Sequence, residues 1–266
     1  TYEFKSLMLE LPTEKEIAEC VGLWLAEGDS KTNNEITFTN NCLELIIYFH
    51  NMIKNLYHGN NKPRLYVYSS TKKILISEIN GLKINNYTDF RAKKTYYIFR
   101  LSDVNFVKEW KQLVKTFKDN SVYYPEILRG IFAGEGNVKH DLKNKNSRNL
   151  RIASGKRDQF IEKLLKCFNI PIKFEANKRT YWIFGRNLEK LNAINIASLH
   201  PEKEAKFRKM INSIKEIHYS PGELSELLLN KLDKFFTTKE LSTTFKRSEA
   251  RIQETLSELK RLDKIS

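Results

Sequence analysis

Several classes of protein are excluded by what this chain has little of. Its three cysteines, Cys20, Cys42 and Cys167, are odd in number, far apart and set among apolar neighbours. Neither a disulfide framework nor a zinc-ligand spacing can be read from them, and a reduced, cytoplasmic (intracellular) protein is expected. No segment approaches the ~18 continuous apolar residues that a membrane span needs. The first residues lack the basic-then-apolar order of a signal peptide, and no membrane partner is expected. The histidines, His50, His58, His140, His200 and His218, are scattered and read as ordinary surface or core residues rather than ligands. Acidic residues are also in deficit: 32 Asp and Glu against 46 Lys and Arg leave a formal charge of +14. In a 266-residue chain that is 41% hydrophobic and rich in Tyr and Phe, that imbalance argues against disorder and for a polyanionic partner, nucleic acid ahead of a membrane surface.

Against this background one pattern occurs twice. Cys20-Val-Gly-Leu-Trp-Leu-Ala-Glu-Gly28 is answered by Leu128-Arg-Gly-Ile-Phe-Ala-Gly-Glu-Gly136. Each reads as an apolar helix with small residues four apart and a carboxylate just before a glycine. Gly22 and Ala26 in one, and Gly130 and Gly134 in the other, remove the side chains that would hold two backbones apart, so the helices can pack closely. Glu27 and Glu135 then meet at the helix ends. A second echo follows in the same order: Lys93-Lys-Thr-Tyr-Tyr-Ile-Phe99 and Lys178-Arg-Thr-Tyr-Trp-Ile-Phe184 are identical at five of seven positions. Its shorter offset assigns about 23 extra residues to the first half, around Ser69 to Asp89, as a longer hairpin or loop.

Each half reads in the same order. Pro12-Thr13 with Glu16 is a capping-box start for the first motif helix. The alternation in Glu35 to Thr39 predicts a strand. A helix follows over Leu43 to Leu56, strands over Arg64 to Ser69 and Thr95 to Leu101, and a helix over Asn105 to Phe117. The second half repeats this with a helix over Pro125 to Gly136, a strand over Asn149 to Ala153 and a helix over Asp158 to Phe168. Strands over Ile172 to Glu175 and Arg179 to Phe184 follow, then helices near Leu188 to Ile194 and Glu202 to Ile217. Ser220-Pro221-Gly222 reads as a linker. Residues 220–266 hold nine Lys/Arg against eight Asp/Glu, so nearly all the excess charge belongs to the repeats. The tail reads as three short helices, consistent with a helix-turn-helix or with a small docking bundle. The expected domains are therefore 1–120, 121–219 and 220–266.

The two motifs resemble those of the LAGLIDADG family of homing endonucleases, in the single-chain form that carries both. The resemblance covers residues ~12 to ~217. It implies an α+β fold of two pseudo-symmetric αββαββα repeats with saddle-shaped antiparallel sheets, to which the tail adds a small helical, winged-helix-like domain. It also implies a site-specific, double-stranded DNA endonuclease in which each motif contributes one acid, here Glu27 and Glu135, with Gly28 and Gly134 in the metal-holding set. His200-Pro201-Glu202-Lys203 is similar to a segment that in some members supplies a lysine near the attacking water, which makes Lys203 the candidate for polarising it. The sixth motif position is Leu25 or Ala133 where the family pattern has Asp. Asp29 has Asn137 as its counterpart and is not a symmetric ligand.

The residue chemistry leads to the same place without the family. Two carboxylates converging at helix C-termini face the negative helix poles and repel each other unless a cation sits between them. Magnesium suits such a site, with manganese as a substitute, and can activate water and stabilise a leaving oxygen.

Alternating strands offer one face to the core and one to a ligand. On that basis Arg64, Tyr66, Tyr68, Arg151, Lys173 and Arg179 are expected to face DNA, long side chains suiting the major groove. Lys31, Lys62, Lys72, Lys73, Lys139, Lys143, Lys145 and Arg148 are expected in loops that contact phosphates. Lys246, Arg247 and Arg251 are the candidates in the tail. The halves share little identity, which implies a long asymmetric site bound by a monomer. A catalytically silent nucleic-acid binder, either a transcription regulator or an intron RNA maturase, is the alternative. An intein is disfavoured because Thr1 is a weak nucleophile and Lys264-Ile265-Ser266 lacks a His-Asn pair.

Overall fold

A computed structural model of the chain describes residues 12–71, 78–79, 81–141, 147–214, 219–231 and 236–265. Lys72, Lys73, Lys143 and Lys145, the expected helix end near Ile217, and Lys234, where the first tail helix is expected to end, lie outside the described residues. The protein is α+β and forms two compact units, one through Phe207 and one from Arg208 onward.

In the first unit, Thr13 caps α1 (Glu14–Glu27), accepting the Glu16 N–H at 3.2 Å while Glu16 accepts the Thr13 N–H at 2.7 Å. Then come β1 (Glu35–Asn40), α2 (Leu43–Leu56), β2 (Arg64–Ser69), β3 (Glu78–Ile79), β4 (Leu82–Thr88), β5 (Tyr96–Ser102) and α3 (Val104–Asp119). The strands form a sheet in the order β1-β5-β2-β4-β3. A short 3₁₀ turn, Ser121–Tyr123, leads into α4 (Tyr124–Glu135), β6 (Gly136–Asp141), β7 (Ser147–Ala153), α5 (Gln159–Cys167), β8 (Phe174–Glu175), β9 (Thr180–Phe184), α6 (Asn187–Ala193) and α7 (Pro201–Asn212). The second sheet runs β6-β7-β9-β8, antiparallel throughout.

The second repeat has the αββαββα order and the first departs from it. Where β6 follows α4, the first repeat makes a single antiparallel bridge, Gly28 to Phe38, corresponding to the Gly136–Ile152 pair. It also inserts the β3–β4 pair, and β4 runs parallel to β2. The insertion accounts for the unequal lengths: 34 residues separate Leu65 from its partner Phe99, and seven separate Phe174 from its partner Tyr181.

These registers correct one sequence expectation. The echo of Lys93–Phe99 in Lys178–Phe184 is not a structural equivalence. Phe38 pairs with Phe99 and Ile152 pairs with Tyr181, so Phe99 corresponds to Tyr181, three positions out of step with the sequence match. An odd slip turns every side chain to the opposite face. Phe99 and Tyr181 are both fully buried, whereas Phe184, the sequence partner of Phe99, is 38% exposed.

Both cores lie on the inner sheet faces. The first is aromatic: Phe49 packs on Phe38 (4.7 Å), Phe99 (5.6 Å) and Trp110 (5.9 Å), and Trp110 meets Trp24 edge-on at 6.1 Å, each such pair adding roughly 1 kcal/mol to its area burial. The second is largely aliphatic, with Leu150, Ile152, Leu164 and Leu165 around Tyr181 and Phe132. Helix α3 presents Phe106, Val107, Trp110, Val114 and Phe117 on one face and is started by Asp103, which accepts the N–H groups of Asn105 and Phe106.

The unit from Arg208 onward takes in the last residues of α7 and contains α8 (Glu223–Lys231), α9 (Thr238–Thr244) and α10 (Glu249–Arg261) around Leu224, Leu228, Leu241, Phe245, Ile252 and Leu259. Lys246 ends α9 in the left-handed conformation (φ 45°), with Arg247 N–H donated to Ser242 O at 3.1 Å, a Schellman-type turn into the Ser248 cap of α10. Among the described residues this unit has no strand, so the winged-helix-like expectation reduces to three helices. No helix among the described residues is long and apolar enough to cross a membrane.

Candidate functional site

The site is built on the crossing of α1 and α4. A methyl added at Gly22 would stand 2.2 Å from the Ile127 carbonyl oxygen and 2.9 Å from the Gly130 Cα. One added at Gly130 would stand 2.1 Å from the Glu19 carbonyl oxygen. Only glycine permits so close a backbone approach. One turn further on, Gly134 faces Ala26, its added methyl reaching to 2.7 Å from the Ala26 Cβ and 3.0 Å from the Glu27 Cγ. The stepped small residues thus carry Glu27 over the last turn of α4, beside Glu135.

Neither helix has a basic residue in its last turn, so both carboxyls stand at negative helix poles that their own helices do not offset. Burial pushes Glu27 up to about 7; the charge of Glu135 adds to this and the ammonium of Lys203 opposes it. Burial also raises Glu135, again against Lys203. Burial lowers Lys203 to about 8, with both glutamates resisting.

Lys203, near the start of α7, supplies the missing cation from outside the motif helices. Its Nζ donates to the carbonyls of Phe132 (3.1 Å), Ala133 (2.6 Å) and Gly134 (2.8 Å) at the end of α4; the Phe132 carbonyl also accepts the Gly136 N–H, and the other two are among those a helix end leaves without helical partners. All three ammonium donors are therefore engaged on backbone. Gly134 offers its carbonyl to Lys203, and Gly28 is held by the bridge to Phe38 and by donating its N–H to Trp24 O at 2.8 Å. The first half has no segment comparable to that of Lys203; its Lys118 lies 4.7 Å over the Phe160 ring.

A cleft of about 760 Å³ opens beside Glu27, lined also by Asn40, Tyr96, Gly134, His200 and Lys203; Glu135 is not in its lining. Among the described residues no set of three or more His, Cys, Asp or Glu side chains is placed to hold a metal ion. Asp29 accepts the Lys31 N–H at 2.8 Å and braces the turn after α1. At the other end of the crossing, Arg129 pairs with Glu19 and, at 3.3 Å, with Glu126, while Tyr48 donates to Glu19. This buried network is invisible to motif reading; its signal is an arginine inside an otherwise apolar helix.

On the outer face of the first sheet, strand register arranges the side chains in rows. Arg100, Arg64 and Lys83 form one, and Tyr96, Tyr68 and Tyr87 another, with Tyr66 between them. Arg100 pairs with Glu35 (3.1 Å) and lies 5.1 Å over Tyr66, and Arg64 donates to Ser102 Oγ at 2.9 Å. On the second sheet Arg151 lies 3.7 Å over the Trp182 ring, Lys178 5.1 Å over the same ring and Lys173 4.8 Å over Phe184.

Other residues sit differently from expectation. Lys139 is in β6 rather than a loop, because β6 pairs with β7. Arg148 has the parity of Leu150, not of Arg151, and so belongs to the opposite side of β7. Arg179 is exposed in a left-handed turn (φ 49°) before β9. Lys31 and Lys62 are exposed. In the C-terminal unit Arg251 pairs with Glu254 at 2.6 Å, and Arg247 is half-buried.

No family model matches the chain, and no curated protein does. Among solved structures it is similar to full-length DUF199/WhiA from Thermatoga maritima, with 16% identity over 96% of this chain and 94% of that one and a TM-score of 0.49. It is also similar to mesophilic variants from the homing endonuclease I-DmoI (15%, 72% and 96%, TM-score 0.46) and to the N-terminal LAGLIDADG domain of DUF199/WhiA (19%, 70% and 83%, TM-score 0.44).

Proposed function

We propose that the two-repeat unit is a divalent-metal-dependent endonuclease of double-stranded DNA, acting through Glu27 and Glu135. The observation that carries this reading is the convergence of two half-buried carboxyls at the negative poles of two helices, an arrangement that costs the fold stability and that a cation relieves. Magnesium, or manganese in its place, fits the donors: hard carboxylate oxygens, with the remaining positions left to water and phosphate. Glu27 and Glu135 would hold it, with the backbone of Gly28 and Gly134 alongside. Bound there, the metal supplies an activated water and charge for the leaving oxygen.

The chain's own residues bind and orient. Arg64, Lys83, Arg151 and Lys173 hold phosphates and fix the register of the duplex, and the unlike outer faces of the sheets call for a long asymmetric site bound by a monomer. Lys203 holds the end of α4 in place; to polarise a water it must first release one of its carbonyls. Arg247 and Arg251 give the C-terminal helices a second contact with DNA.

One observation favours a second reading. Lys203 already gives both glutamates a cation from within the chain, and on that reading the protein is a catalytically silent nucleic-acid binder, either a transcription regulator or an intron RNA maturase. The deciding experiment is cleavage of a randomised duplex library in Mg²⁺ or Mn²⁺, beside Glu27→Gln and Glu135→Gln, with Mn²⁺ binding measured separately. Cut sites that vanish in both variants support the endonuclease. Binding of DNA or folded RNA without cutting, with Mn²⁺ taken up only by Lys203→Met, supports the silent binder.

A further inference from the structure

The turn between β4 and β5 displays a phenylalanine that packing does not explain. Phe90 is 87% exposed; one exposed ring is ordinary on a protein surface, and what distinguishes this one is its setting. The turn is well braced. Ala92 N–H donates to Asp89 O at 3.0 Å, and the Asp89 carboxylate accepts from the Arg91 backbone N–H (3.0 Å), the Arg91 guanidinium (3.3 Å) and the Tyr96 hydroxyl (3.2 Å). Asp89 N–H in turn is donated to Ser69 O at 2.9 Å. Phe90 is thus presented at the tip of a fixed support, followed by Arg91, Lys93 and Lys94.

Beside it runs an aromatic row. Tyr96 stacks on Tyr68 at 4.9 Å with planes 3° apart, and Tyr68 stacks on Tyr87 at 5.2 Å. The row begins in the cleft, which Lys94, Thr95 and Tyr96 line together with Glu27, and ends at Tyr87, 47% exposed. Among the described residues, β3 pairs with β4 only at Leu82 and Lys83.

We infer that Phe90 and Tyr87 form a base-stacking site: Phe90 wedges into a base step while Tyr87, the open end of the tyrosine row, receives an unstacked base. An apolar ring flanked by cations suits this ligand, since the cations seat the phosphates and the ring takes the base face. The inference rests on the nucleic-acid reading above. It adds that the preferred ligand is a duplex locally opened, with one or two unpaired bases.

The probes are a 20-base-pair DNA duplex, the same duplex with a two-base bulge, each carrying 2-aminopurine at the central step, and vesicles with anionic headgroups. The full chain is expected to bind the bulged duplex five- to tenfold more tightly than the perfect one and to change its 2-aminopurine fluorescence. Phe90→Ala and Tyr87→Ala should each bring that preference close to one, leave perfect-duplex affinity within twofold, and lose the fluorescence change; Phe90→Trp should retain it. Phe90 makes no core contact, so its variants fold. A wild type without preference, or a Phe90→Ala variant that keeps it, overturns the inference while leaving duplex binding intact. Absence of binding to either DNA overturns the nucleic-acid reading itself. Vesicle binding lost in Phe90→Ala with DNA preference unchanged overturns the inference in favour of a membrane surface.

Discussion

The two sheets share the strand registers behind the helix crossing and differ on their outer faces. In the first, cations and tyrosines are sorted into separate rows, with Arg100, Arg64 and Lys83 at one end and Tyr96, Tyr68 and Tyr87 at the other. In the second, cations and rings are interleaved, Arg151 and Lys178 both lying on Trp182. Pseudo-symmetry is kept where backbones must fit, at the α1–α4 crossing and in the strand registers behind it, and is abandoned where the molecule faces outward. A cation held on a ring is partly desolvated and fixed in direction. Arg100 and Arg64 lie 5.1 and 5.9 Å from the Tyr66 ring, whereas Arg151 is only 3.7 Å from that of Trp182. The first sheet therefore holds its cations more loosely and is the better electrostatic surface, and the second is the more rigid one.

The largest expected effect tests the part the repeats share. Gly130→Val places a side chain against the Glu19 carbonyl, where neither backbone can retreat, and should destabilise the unit by at least about 3 kcal/mol or prevent folding. Gly134→Ala meets the Ala26 methyl and the Glu27 stem instead and should cost about 1–2 kcal/mol. Urea denaturation of the two variants measures the difference; equal costs would mean the crossing is not set at Gly22 and Gly130.

The acidic pair comes next. Glu27 holds its proton up to about pH 7 in the folded chain against an ordinary 4.5, so folding takes up a proton between those values and stability falls as pH rises through them. Above pH 7 the penalty is about 3 kcal/mol. Glu27→Gln should therefore raise the melting temperature at pH 8 by several degrees and leave it unchanged near pH 4. Glu135→Gln should act in the same direction, and a melting curve that does not respond to pH in the wild type would contradict both.

Removing cations sharpens the contrast between the faces. If the first sheet is the electrostatic surface, Arg64→Ala and Lys83→Ala should each weaken duplex binding a few-fold and lower the salt slope by about one. Arg151→Ala should cost less in slope and up to about 1 kcal/mol in stability through the lost stack on Trp182. Titrations at several salt concentrations separate the two. The smallest effect is expected in the C-terminal unit, where Lys246→Gly relieves a left-handed residue and should stabilise it by roughly 0.5–1 kcal/mol, read as a shift in that unit's thermal transition.

Much of the fold is legible in the residues because the signals are local. The Thr13–Glu16 box, the Asp103 and Ser248 caps, and the alternation in Arg64 to Ser69 mark their own elements. β6 is not legible, since Gly-Asn-Val-Lys-His-Asp carries little alternation and becomes a strand by pairing with β7. The seven-residue echo misleads for a related reason: identity of residues does not fix which neighbour a strand lies beside, and here the register puts like residues on unlike faces. In the site, Glu27 and Glu135 follow from the motif because helix geometry carries them to one place. That Lys203 reaches the carbonyls of α4, and that Asp89 braces Phe90, depends on contacts between elements that no spacing encodes.

The crossing of Gly22 on Gly130 has a consequence for assembly. A helix that offers a bare glycine to the equivalent glycine of another presents a surface complementary to itself, which is the condition for an isologous contact about a twofold axis. This chain satisfies it internally, so each repeat uses up the other's capacity to pair.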